Sequence, residues 1–371
     1  MRKFIIFFAA AFIAIILCSC NAFAQGIIDY GGDRITSAVP DAAREILEDS
    51  QITPDNSGAL GLTFGGVLGE ILELFKLQIG EPLKLLCALC GVVLLCALAE
   101  SVTQTQQQAN QLKGVFSVVG VLCGAGITAA AVGEVLDETL ATLSAAANFS
   151  LVFIPAFTGI AAVMGHVSTA AAVNSVVLAA TQLFSQLSVN LLAPMCGTIL
   201  GVSAAGAANP QMKLDKLGEI IKKFVIWGIT LIMTVFMSVL STQTLVASSA
   251  DNAAIKAAKF VVSQGVPFVG GTISDSVNFF GGGLAALKGS VGTYGIIAAA
   301  AIVLPVLVNL VCYRLALFCA ENAAEIFGLK ELAALFKSCC SVMTIILAVT
   351  VCFLLLNTLA VFLMLGITNV V

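Results

Sequence analysis

The chain has 371 residues, 59% of them hydrophobic and only 10% charged, against about a quarter charged in an ordinary soluble domain. A mean hydropathy of +1.06 describes a polypeptide whose main solvent is lipid, and a formal net charge of −4 leaves no basic excess with which to hold nucleic acid. The composition predicts an all-α, polytopic integral membrane helical bundle and excludes a DNA- or RNA-binding protein.

The N-terminus reads as a signal peptide over residues 1–24. Arg2 and Lys3 form its basic start, an apolar run extends from Phe4 to Leu17, and Ala22-Phe23-Ala24 offers a cleavage site. Two alternatives stay open: lipidation at Cys20 within Leu17-Cys18-Ser19-Cys20, and retention of the segment as a first spanning helix. With cleavage, the mature chain begins outside the cytoplasm. Residues 25–82 form a small extracytoplasmic region, rich in acids and too polar to bury much core. Within it Leu68, Ile71, Leu72, Phe75 and Ile79 recur at helical spacing, the pattern of an amphipathic helix lying on the outer leaflet or packing on the bundle.

Residues 83–371 read as a membrane domain of about seven or eight spans. Apolar segments fall at 83–99, 114–133, 149–165, 173–193, 194–206, 224–246, 291–313 and 341–366. The segment 194–206 is short and begins at Pro194, where a helix tends to break. If it crosses, Lys113, Lys213, Lys216, Lys222, Lys223, Arg314, Lys330 and Lys337 lie inside, while Lys256, Lys259 and Lys288 lie outside. The positive-inside rule therefore favours a crossing or a broken half-helix there. Between the spans, 133–148 reads as an outer loop with a leucine stripe beside Glu134, Asp137 and Glu138, and 321–337 as a cytoplasmic amphipathic helix.

Two stretches carry polar groups in an apolar setting. In 173–193, Asn174, Ser175, Gln182, Ser185, Gln186 and Asn190 gather on one side of a helix whose other side carries Val177, Leu187 and Leu191. Amides at membrane depth must meet each other or water, so Asn174, Gln182, Gln186 and Asn190 are candidate pore-lining or assembly residues. In 257–290, Val266, Val269, Ile273, Val277 and Phe280 form an apolar stripe, while Ser274, Asp275, Asn278 and Gly282 fall opposite. Pro267 is expected to break the preceding helix and Gly281-Gly282-Gly283 to loosen the far end, leaving an amphipathic helix between hinges, either interfacial or lining a path.

Catalytic and cofactor signals are weak. Gly265 to Thr272 approximates a phosphate loop, but Gly271 stands where that motif needs its lysine. Most of the twelve cysteines lie in apolar segments, and Cys87-x-x-Cys90 lacks a second pair or histidine partners for zinc. The one histidine, His166, precedes Ser168 with no acid nearby in sequence, so a serine triad needs a distant partner. No clear carboxylate is expected inside a span core. No enzyme activity, cofactor or metal is expected.

Several segments resemble the stage III sporulation protein AE family, membrane proteins of endospore-forming bacteria. They are Asn190-Leu-Leu-Ala-Pro194, the run LDKLGEIIKKF leading into a long span, and AIKAAKFVVSQGVPFVGGTISD followed by GSVGTYGIIAAAAIVLPVLVNL. Lys259, Phe260, Pro267 and Gly270 carry the most specific part; with Pro194, Gly271 and Gly282 they are the candidate hinge and motif positions. The resemblance implies a non-enzymatic component of a channel, or feeding-tube-like secretion complex, between mother cell and forespore. It would sit in the mother-cell membrane around the forespore, beside other channel membrane proteins. A secretion-type ATPase on the cytoplasmic side and a forespore membrane protein across the intermembrane space complete the implied partners. An autonomous transporter and a scaffold for the ATPase complex stay open as alternatives, and homo-oligomers are compatible with all three.

Overall fold

The computed structural model describes residues 32–49, 52, 75–76, 78–103, 110–208, 215–265 and 270–367. The leader at 1–24, the stretch around Leu68–Leu72 and Pro267 lie outside the described residues. Every described element is helical: α1 (Gly32–Ser37), α2 (Asp41–Asp49), α3 (Gly80–Thr103), α4 (Asn110–Val163), α5 (Val167–Leu187), a π-helical turn (Ser188–Leu192), α6 (Ala193–Ala208), α7 (Asp215–Gly265), α8 (Gly270–Ile326) and α9 (Lys330–Ile367).

The apolar segments predict seven or eight crossings. Among the described residues, six helical stretches are long and apolar enough to cross a membrane: Gly80–Ser101, Val118–Val163, Val167–Ala207, Ile220–Asp251, Gly289–Ile326 and Lys330–Phe362. The segments 114–133 and 149–165 belong to one helix, because the sequence between them is rich in alanine, leucine and glutamate, strong helix formers, with no proline to stop it. α4 is 54 residues long, about 81 Å at helical rise. It is thus far longer than the ~30 Å hydrocarbon core. Glu134, Asp137 and Glu138 are therefore mid-helix residues and not a loop.

The segments 173–193 and 194–206 likewise form one continuous rod. Pro194 does not end it. Proline lacks an N–H and its ring crowds the carbonyl four residues back; the π-helical turn Ser188–Leu192 widens the helix just ahead of the ring and absorbs that conflict. The expected helix at 321–337 is instead a hairpin. α8 ends at Ile326, and the corner turns at Gly328, whose φ of +79° is a left-handed conformation that glycine adopts without a Cβ penalty.

Side-chain contacts set the register of the bundle. α4 runs parallel to α9: Gly124 faces Leu332 and Phe336, and Ser150 Oγ donates to Asn357 Oδ1 at 3.0 Å. α8 is antiparallel to both, with Gly292 held between Phe157 and Leu365. Phe184 of α5 meets Phe353 of α9 at a centroid distance of 5.7 Å, and Lys222 Nζ of α7 donates to Ser341 Oγ at 2.9 Å. α8 and α9 form the centre, where Leu317, Phe336, Cys339, Ile346 and Met364 are fully buried.

This register gathers Lys222, Lys223, Lys330 and Lys337 at one end and puts the Val163–Val167 corner at the other. These four lysines, expected on one side of the membrane, do share one end of the bundle. One consequence is testable. A cysteine replacing the exposed Val167 is expected to react with an impermeant thiol reagent from the membrane face opposite to the one that reaches a cysteine at exposed Ile326. Labelling of both from one face would contradict the register.

The N-terminal region buries more than its polarity predicts. Ile35, Val39, Ala43, Leu47 and Ile52 are buried, with α1 packed on α4 and α2 on α8. The Arg44 guanidinium donates to the carbonyls of Ser37 at 3.3 Å and Val39 at 3.1 Å, fixing the corner between the two short helices.

Candidate functional site: the outer face of α5 and α6

The side of α5 turned into the bundle carries Val173, Val177, Thr181 and Phe184, all buried, followed by Ser188 and Leu192. Opposite them, Gln186 and Asn190 are exposed. Leu187 and Leu191 share that outer face, so the expected separation of amides from leucines holds for Val177 only. The cause is the width of the buried stripe, which takes the threonines and serine inward with the large apolar residues. Ser188 Oγ donates to the Phe184 carbonyl at 2.8 Å, which lets a hydroxyl sit there without a partner helix.

Asn174 and Gln182 are half-buried. The Asn174 carboxamide oxygen and the Thr181 hydroxyl are buried and have no hydrogen-bond partner among the described residues. Gln186 and Asn190 lie near the middle of Val167–Ala207, where lipid tails offer amides nothing to bond. Beyond the π-helical turn the same face continues through exposed Pro194, Gly197, Thr198 and Gly201; Thr198 Oγ1 donates to the Pro194 carbonyl at 2.6 Å.

Beside this face a groove of about 420 Å³ opens between α4, α6 and α9, lined by Thr128, Val132, Gly133, Cys196, Gly197 and Leu335 among others. Its lining carries no charge, so it suits an apolar chain or side chains and not a polar solute.

Ser274, Asp275 and Asn278 fall on α8, as do Gly270, Gly271 and Gly282; Lys259 and Phe260 fall on α7. The side chains at 257–265 and 270–288 lie outside the described residues. α7 stops at Gly265 and α8 starts at Gly270, on either side of Pro267. At Gly281-Gly282-Gly283, where a loosened end is expected, α8 runs on unbroken.

Two polar contacts escape sequence reasoning. Asp251, at the end of α7's apolar run, is buried and caps α5: Oδ1 accepts the Ser168 N–H at 2.9 Å and Oδ2 the Thr169 N–H at 2.8 Å. An acid thus does arrive at the His166–Ser168 corner, but its oxygens serve backbone donors at a helix N-terminus, where negative charge is favoured. That is a fold-holding arrangement and not a nucleophile's geometry. In the second contact, Asn309 Nδ2 donates to Glu138 Oε2 at 2.7 Å. Glu138 thus has a side-chain partner on α8 although it stands in the middle of α4. Among the described residues, no group of three or more His, Cys, Asp or Glu could hold a metal ion.

The family profile described as stage III sporulation protein AE matches residues 49–368. Stage III sporulation protein AE of Bacillus subtilis (strain 168) is 24% identical over 215 residues, an alignment covering 57% of this chain and 53% of that protein. The matched part is thus about half the relative's length. No solved structure matches.

Proposed function

Because the chain belongs to the stage III sporulation protein AE family, we propose that it is a non-enzymatic membrane subunit of the channel complex joining mother cell and forespore. In this reading it sits in the mother-cell membrane around the forespore, with its mature N-terminus extracytoplasmic and its lysine-rich end toward the mother-cell cytoplasm. There a secretion-type ATPase docks, while a forespore membrane protein meets the assembly from across the intermembrane space.

The observation that carries the reading is the exposure of Gln186 and Asn190 near the middle of an apolar stretch. A self-contained carrier turns its amides inward toward a substrate; amides facing outward fit a subunit that completes its hydrogen bonding with neighbours. The experiment is an affinity pull-down of the tagged chain from sporulating cells in mild detergent. Other sporulation membrane proteins and a cytosolic ATPase are expected to copurify, and the Gln186→Leu, Asn190→Leu pair is expected to lose most of the membrane partners. Purification of the wild-type chain alone, together with substrate flux from it in liposomes, would overturn the proposal in favour of an autonomous transporter.

A further inference from the structure

The longest rods of the bundle exceed one bilayer. Val118–Val163 has 46 residues and Val167–Ala207 has 41, about 69 and 62 Å at helical rise against a hydrocarbon core of about 30 Å. A tilt of about 40°, the upper end for spanning helices, shortens them by only about a quarter. Part of the bundle therefore stands outside lipid, and the contacts between helices show which part.

A polar girdle crosses the bundle at one height. Lys222 of α7 bonds Ser341 of α9, and the neighbouring Cys340 Sγ lies 3.9 Å from the Arg314 carbonyl of α8. Tyr313 is within electrostatic reach of Glu81 on α3 and of Glu134 and Glu138 on α4, and Asn309 donates to Glu138. Beside Lys222 stand Lys223 and the exposed Trp227, the pairing of cation and aromatic that marks a membrane–water interface. A second boundary is drawn by α2, which packs on α8 through buried Ala43 and Leu47 while Asp41, Glu45 and Glu48 stay exposed; its Arg44 is within electrostatic reach of Tyr294. Tyr294 and Arg314 are twenty residues apart on α8, about 30 Å at helical rise, which is the thickness of the hydrocarbon core. Between these two levels α4, α5, α7, α8 and α9 carry no charged residue. Past the girdle charges return, with Glu321 and Glu325 on α8 and Lys330 and Lys337 on α9.

We propose that the bilayer covers only the part of the bundle between α2 and the girdle, with the girdle seated among the lipid headgroups, and that the rest projects from the lysine-bearing face. The Gly328 corner, fourteen residues past Arg314, then stands about 21 Å beyond the girdle. α3 does not cross. It begins at the girdle with Glu81 and runs away from it, since Cys96 lies against Gly120 of α4, on the Gly328 side of Glu134. The exposed Leu94, Leu95 and Leu98 are therefore outside the hydrocarbon. The competing placement puts the interface at the Gly328 corner and α3 in lipid. Arg314 and its girdle would then lie about 21 Å deep, past the midplane of the core, and Glu321 and Lys337 about 10 Å deep, where charge is costly. Apolar surface is left outside lipid in either case, because the rods exceed the bilayer; only the first placement keeps charge out of it. The inference concerns the chain's seat in lipid and does not depend on the channel role.

Trp227 is the chain's one tryptophan, which makes depth measurable by fluorescence. Purified full-length protein is reconstituted into phosphatidylcholine vesicles whose acyl chains are brominated either close to the headgroup or close to the methyl end, bromine quenching the indole on contact. Trp227 is expected to lose more fluorescence to the shallow bromines. In a Trp227→Phe background, Val235→Trp, about two turns deeper, is expected to lose more to the deep ones, whereas Leu95→Trp and Leu122→Trp lose none to either. Each variant is first shown to elute as a monodisperse species, and the two positions past the girdle serve as independent readings. Quenching of Leu95→Trp or Leu122→Trp, by either lipid, to the extent seen for Val235→Trp would put α3 and its neighbour in lipid and overturn the proposal. So would stronger quenching of Trp227 by the deep bromines than by the shallow ones.

Discussion

Gly295→Val is expected to cost about 3 kcal/mol, the upper part of the range for overpacking a tight core, and to lower the thermal midpoint of the detergent-solubilised protein sharply. Gly295 sits on α8 where the Phe153 ring of α4 occupies the space a Cβ would need. A flexible side chain would move aside, but this ring is held from both sides. It stacks on Phe149 at a centroid distance of 5.4 Å and on Phe157 at 5.6 Å, and all three phenylalanines are buried. The valine therefore has to displace a ring stack or push two central helices apart. Gly292→Ala, whose Cβ would lie 3.0 Å from the ends of the Leu365 and Phe157 side chains, is expected to be milder. A Gly295→Val protein melting with the wild type would show that α4 and α8 do not meet as described.

Asp251→Ala is expected to cost up to about 3 kcal/mol, because it removes both acceptors from the first turn of α5 and leaves the Ser168 and Thr169 donors, the second of them buried, without their partner. It also removes a negative charge from a helix N-terminus. Asp251→Asn keeps one acceptor oxygen and is expected to lose about half as much. The loss should be local first. Proteolysis at the Val163–Val167 corner is expected to speed up in Asp251→Ala before the bundle itself melts. Equal midpoints and equal cleavage for wild type and Asp251→Ala would remove the cap from the account.

What the sequence made legible follows from what its signals measure. Apolar runs report the solvent of a segment, so the all-helical membrane class was plain, and lysine bias predicts which end of the bundle faces the cytoplasm. Neither signal reports where one helix stops and the next begins. Glu134, Asp137 and Glu138 look like a loop by hydropathy, yet local propensity keeps them helical. Pro194 looks like a stop, yet a π-helical turn carries the chain past it; Gly165 and Gly328 mark true corners, by left-handed backbone geometry that hydropathy does not see.

The candidate face was partly legible for the same reason. Gln186 and Asn190 stand out by type, and helical spacing placed them together. Their outward aspect depends on which stripe α9 covers, and the Phe184–Phe353 contact that fixes it joins residues far apart in the chain. Asp251 gave no local sign at all; its partners, Ser168 and Thr169, lie 83 and 82 residues away.

The central proposal is that the α5 face bearing exposed Gln186 and Asn190 meets other protein in the membrane, while the exposed Val235 of α7 meets lipid. A photo-activatable amino acid placed at Asn190, and separately at Val235, and irradiated in membranes of sporulating cells tests this most directly. The account predicts protein adducts at Asn190 and lipid adducts alone at Val235. Lipid adducts alone at both positions would contradict it.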